Sequence, residues 1–69
     1  MTQKQKIKDY LNRYGSITPL EALRDLGVMR LAARIGEISR EGYPVVKEMA
    51  SSPNRDGKTV YYARYRRAT

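Results

Sequence analysis

The stretch Ile17-Thr18-Pro19-Leu20-Glu21-Ala22-Leu23-Arg24-Asp25-Leu26-Gly27-Val28-Met29-Arg30-Leu31-Ala32-Ala33-Arg34-Ile35 decides how the rest of the chain is read. Thr18 to Glu21 has the form of a capping box with proline in the first helical position. The Thr18 hydroxyl can accept from the Glu21 N–H, and the Glu21 carboxylate can reach back to the Thr18 N–H. Pro19 has no N–H to leave unpaired there. A short helix is therefore predicted over 19–26, with Leu20, Leu23 and Leu26 as its buried side. Gly27 ends it and opens a tight turn. A longer helix is predicted over 29–41, with Leu31, Ile35 and Ile38 as its core stripe and Val28 packed under its start. Gly42 stops this helix and Pro44 forbids its continuation.

Upstream, Ile7, Tyr10, Leu11 and Tyr14 recur at i, i+3, i+4 and i+7, which predicts a helix over 3–14 ended by Gly15. Downstream, β-branched and aromatic residues take over. Tyr43 to Met49 reads as a strand, and Ser51 to Gly57 is dense in turn formers. Thr59 to Tyr65 reads as a second strand. Two helices joined by a glycine turn, the second longer and basic, make a helix-turn-helix pattern. A hairpin directly after it, over 43–65, makes a wing. The expected fold is α+β: one winged helix-turn-helix domain over 1–69, three helices followed by a two-stranded β-hairpin.

The 69 residues include 14 Lys and Arg against 7 Asp and Glu, a formal charge of +7. Such a bias calls for a polyanionic partner or an anionic surface. The part from Tyr43 onward carries +4 of it and residues 1–42 carry +3, so the hairpin region is the denser. No cysteine or histidine is present, which removes disulfides, ordinary zinc sites and the usual nucleophile relays. There is no glycine-rich phosphate loop and no close carboxylate pair off the helix faces. No enzyme activity, cofactor or metal is expected. No apolar run approaches a membrane span and the N-terminus has no apolar signal core, so a cytoplasmic location without membrane contact is expected.

Opposite the core stripe of the third helix lie Arg30, Ala33, Glu37 and Arg40, with Arg34 and Glu41 at the edge. Arg30 and Arg34 can bond guanine O6 and N7 bidentately, Ala33 permits close approach or contact with a thymine methyl, and Glu37 can accept from cytosine N4. These four are the candidate base readers. The same face also reads as an ordinary solvated surface, with Arg34 paired to Glu37, Glu41 or a carboxylate of the first helix. Lys47, Arg55, Lys58 and Arg64 are the candidate phosphate contacts of the wing.

The segments Ile17 to Leu23, Gly27, Arg30 to Ile35 and Gly42-Tyr43-Pro44-Val45 together resemble a family of small phage and prophage winged helix-turn-helix domains. The likeness extends more weakly through Asp56-Gly57-Lys58 and Ala63-Arg64-Tyr65. It implies a phage-encoded DNA-binding or regulatory module, acting on double-stranded DNA as a transcriptional regulator or an excisionase-like architectural factor. One such helix covers few base pairs, so a homodimer or adjacent copies on DNA are expected. Two other readings stand beside it. Glu37 and Glu41 suit capture of a host protein, such as part of a defence system, and outward tyrosines suit RNA.

Overall fold

A computed structural model describes residues 2–68; Met1 and Thr69, the two ends of the expected domain, lie outside the described residues. The chain runs α1 (Gln3–Tyr14), β1 (Ser16–Ile17), α2 (Pro19–Glu21) with a π-helical continuation (Ala22–Leu26), α3 (Leu31–Arg40), β2 (Val45–Pro53) and β3 (Thr59–Arg67). The strands form one antiparallel sheet in the order β1-β3-β2. This is a winged helix-turn-helix: three helices and an antiparallel β-hairpin wing.

The capping box is formed at the start of α2. Glu21 N–H donates to the Thr18 hydroxyl at 3.2 Å, and Thr18 N–H donates to the Glu21 carboxylate at 2.9 Å. Immediately before it, Ser16 and Ile17 pair with Arg66 and Tyr65. That two-residue strand has no periodicity of its own, and the sequence pattern gave no sign of it.

The buried side of α2 differs from the expectation. Leu20 and Leu23 are exposed, at 69% and 49%, while Thr18 and Ala22 are buried and Leu26 packs against the core. The inward row is Thr18, Ala22, Leu26 at i, i+4, i+8. The capping box draws Thr18 inward, and the small Ala22 then lets the helix lie close to the core. Gly27, at φ 68°, closes the helix: its N–H bonds the Leu23 carbonyl and that of Val28 bonds Ala22.

The third helix begins two residues later than the pattern suggested. Met29 is 84% exposed and Arg30 sits at φ −116°, ψ 59°, outside the helix as its N-cap. Buried Val28 pins the turn, and no side chain at the N-cap accepts from the first turn to draw the helix further back. The core gathers Ile7 and Leu11 of α1, Ile17, Ala22, Val28, then Leu31, Ile35 and Ile38 of α3, and Tyr65 of β3.

The hairpin root is stapled to α1. The Tyr43 hydroxyl and Arg67 Nη1 both donate to Asn12 Oδ1, at 2.9 and 2.8 Å, and the guanidinium of Arg67 and the ammonium of Lys8 lie over the Tyr43 ring. Beyond this root the wing stands clear of the core, with every residue from Ser51 to Tyr61 exposed. Among the described residues no helix is long and apolar enough to cross a membrane.

Candidate nucleic-acid interface

The outward face of α3 is built by its core stripe. With Leu31, Ile35 and Ile38 buried, Ala32, Ala33, Gly36 and Arg40 point the other way. Three of these four have one carbon or none in the side chain. A rod with so little on its surface can bring its backbone close to another molecule. Arg40 folds back over the helix, its Nη1 lying 3.6 Å from where a Gly36 Cβ would sit.

The carboxylates of this helix are neutralised within the protein. Glu37 Oε1 pairs with Arg34 Nη1 one turn earlier. Glu41 accepts from Lys4 at 2.6 Å and has Lys8 at 3.8 Å. Arg34 is half-buried, and its Nε finds no acceptor among the described residues. The four expected base readers therefore separate. Arg30 is exposed at the N-cap and has no carboxylate partner among the described residues, and Ala33 lies on the outward face. Arg34 and Glu37 hold one another on the flank nearer α1. Arg40, a fifth group, was visible on the wheel as an outward arginine; its freedom from ion pairs was not.

Five of the fourteen cationic side chains stand in ion pairs: Lys4, Lys8, Arg24, Arg34 and Arg66. The other nine have no carboxylate partner among the described residues. They include Arg30 and Arg40 at the two ends of α3, and Lys47, Arg55 and Lys58 on the wing.

The wing tip is tighter than its composition suggested. Ser51, Ser52 and Pro53 belong to β2, and the turn is confined to the residues between the strands. Asn54 organises it: its side-chain oxygen accepts from the N–H groups of Asp56 and Lys58, both at 3.0 Å, and its own N–H donates to the Lys58 carbonyl at 2.8 Å. Gly57, at φ 80°, supplies the left-handed residue that the turn needs. Arg55 and Lys58 thus project from an ordered tip. Lys47 is exposed lower down, opposite Tyr65 in the ladder. Arg64 does not join them; it lines a separate groove beside the start of α2.

Away from α3, Tyr10 donates its hydroxyl to Asp25 at 2.8 Å, and Arg24 bonds the same carboxylate. The Asp25 carboxyl is pulled down to about 2, first by Arg24 and then by Tyr10. The Tyr10 phenol is pushed up to about 12, first by burial and then by that hydrogen bond. This cluster ties α1 to the π-helical turn. Among the described residues no group of acidic side chains is placed to hold a metal ion.

Comparison with curated proteins and with solved structures returns no match for this chain. A comparison with family descriptions matches residues 2–68, nearly the whole sequence, to a winged helix-turn-helix domain. The α-turn-α unit and the projecting hairpin are the helix-turn-helix and the wing of that description. The chain belongs to the winged helix-turn-helix domain family.

Proposed function

We propose that this protein binds duplex DNA by laying α3 along the major groove with its wing on the flanking backbone, and that it acts as a phage or prophage regulator or architectural factor. Membership of a DNA-binding family supports the general activity. The observation that carries the finer reading is electrostatic. Glu37 and Glu41, the two carboxylates that would repel phosphate, are each held by a cation of the protein, while Arg30 and Arg40 have no carboxylate partner among the described residues. Between those arginines the Ala32, Ala33 and Gly36 surface leaves room for base edges. Arg30 and Arg40 take the first base or phosphate contacts at either end of the helix, Ala33 meets the groove floor, and Arg55, Lys58 and Lys47 hold phosphates. Arg34 reads a base only by giving up Glu37, so it acts first as a brace. Two copies on adjacent half-sites would supply the specificity that one short helix lacks.

Fluorescence anisotropy with a duplex over a salt series tests this. About five neutralised phosphates give a slope of log K on log salt of about −4 to −5. Lys58→Ala reduces that slope by about one for every sequence, and Arg30→Ala changes the order of preference within a random-duplex selection. A salt-independent response, or none at low salt, rules the reading out.

A further inference from the structure

β3 is zipped along its whole length on one edge and almost nowhere on the other. β2 pairs with it from Val45↔Arg67 to Pro53↔Thr59, whereas β1 meets it only at Ser16↔Arg66 and Ile17↔Tyr65. The phase of the ladder is fixed at both ends. Asn54 N–H donates to the Lys58 carbonyl and Ala68 N–H to the Pro44 carbonyl. Main-chain groups point alternately to the two edges of a strand. Even-numbered residues of β3 therefore address β2. The N–H and C=O groups of Thr59, Tyr61 and Ala63 address the opposite edge, where no strand among the described residues meets them.

Beside that edge, and reaching over the sheet face to Ser52 of β2, lies a groove of about 560 Å³, walled by Leu20, Glu21 and Arg24 of the α2 region and by Val60, Tyr62 and Arg64 of β3. Leu20 is 69% exposed and Val60 40%, so the walls offer apolar surface that nothing in the fold covers.

We infer that this groove receives an extended, acidic peptide segment of a partner protein, added as a further strand to β3. Alternating donors and acceptors match another peptide backbone; a row of phosphates would meet the carbonyls with repulsion. The apolar walls take alternate side chains of such a strand. Five residues of edge span about 17 Å, enough for a short linear segment. The charges select an acidic occupant. Arg64 has no carboxylate partner among the described residues, and the Glu21 carboxylate is already spent on the Thr18 N–H. A second copy of the chain would bring a further +7 into contact with this one. The outer edge of β2 is not equivalent: by the same alternation Pro53 falls where it offers no N–H, and Lys47 guards the row. The site uses neither α3 nor the wing tip, so it is independent of the DNA-binding reading.

The test titrates a fluorescein-labelled hexapeptide of alternating valine and glutamate into the whole, ¹⁵N-labelled chain. A lysine-for-glutamate peptide is the control. Slowed amide exchange at Thr59, Tyr61 and Ala63 with the acidic peptide alone is expected. Tyr61→Pro removes an edge donor but leaves the β2 ladder intact, and weakens peptide binding about tenfold. Leu20→Glu, at an exposed position, does the same while duplex binding persists; it decides the matter if the proline variant does not fold. Unchanged exchange at millimolar peptide, or equal binding of the basic control, overturns the inference. So does protection of these three amides by a duplex in place of the peptide.

Discussion

Lys4 Nζ, in the first turn of α1, donates to Glu41 Oε2 at 2.6 Å just past the end of α3, and so ties the first helix to the last. The same contact removes a negative charge from the end of α3. It holds the Glu41 carboxyl below its ordinary value, chiefly through the Lys4 hydrogen bond. Asp25 is held down likewise by Arg24 and Tyr10. A carboxyl whose folded pKa is depressed stabilises the fold above its unfolded value and loses that contribution as pH falls through the folded one. The melting temperature is therefore expected to fall as pH drops from 4.5, the ordinary value for Glu41, toward about 2, where Asp25 protonates. Both groups are exposed, so 0.5 M salt flattens the effect. Glu41→Gln shrinks the fall, as read by circular-dichroism melts at stepped pH; an unaltered profile in that variant contradicts the assignment.

Tyr10 gives the opposite end of the pH scale. Its phenol is raised from 10.0 to about 12, by burial first and by the hydrogen bond to Asp25 second. The neutral phenol is the form the fold favours. Its contribution is complete below pH 10 and is lost as pH rises toward 12. Phenolate absorbance in the native protein, compared with Tyr10→Phe, is expected to isolate one late-ionising group. Asp25→Asn lowers its pKa only in part, because burial remains. Full reversion to the ordinary value would make the hydrogen bond, not burial, the main cause.

The two helices of the central motif differ in where their leucines go, and truncation measures this. Ile38 is fully buried, and Ile38→Ala costs about 2–5 kcal/mol through lost transfer energy and a cavity. In a chain this short that is a large share of the total stability. Leu20→Ala, at an exposed site, stays within about 0.5 kcal/mol. Urea unfolding of both variants checks it. A Leu20 loss as large as that of Ile38 would mean that α2 turns its leucine row to the core.

The parts of the fold set by local chemistry could be read from the sequence. The Thr18 box needs only residues three apart, and the Leu31, Ile35, Ile38 stripe only helical spacing. The misreadings arose where position in space decides. Leu20 and Leu23 looked buried because they are apolar, but the inward row runs through Thr18 and the small Ala22. Ser16 and Ile17 form a strand only because Tyr65 and Arg66, far along the chain, lie beside them. In the candidate interface, the outward arginines were visible on a helical wheel. The spacing offered Arg34 a partner in Glu37, in Glu41 or on the first helix without choosing among them, since only the fold brings Lys4 and Lys8 to Glu41 and leaves Glu37 to Arg34.

Gly36 separates what α3 contributes to stability from what it contributes to binding. Among the described residues, and setting aside the helix's own backbone and the two adjoining residues, an added Cβ would meet Arg40 Nη1 alone within 4 Å, at 3.6 Å, an ordinary contact with the end of a flexible side chain. Glycine within a helix costs about 1 kcal/mol relative to alanine. Gly36→Ala is therefore expected to raise stability by up to about 1 kcal/mol. Gly36→Leu keeps the propensity gain but places a branched side chain between Ala32, Ala33 and Arg40, on the face proposed to enter the groove. Its melting temperature should match or exceed that of the native chain while duplex affinity drops about tenfold or more, a difference of about 1.4 kcal/mol. Calorimetric melts and anisotropy on one preparation read both quantities. If the leucine variant binds a duplex as tightly as the native protein, α3 does not approach DNA through this face, and the contacts assigned to Arg30 and Arg40 must be sought elsewhere.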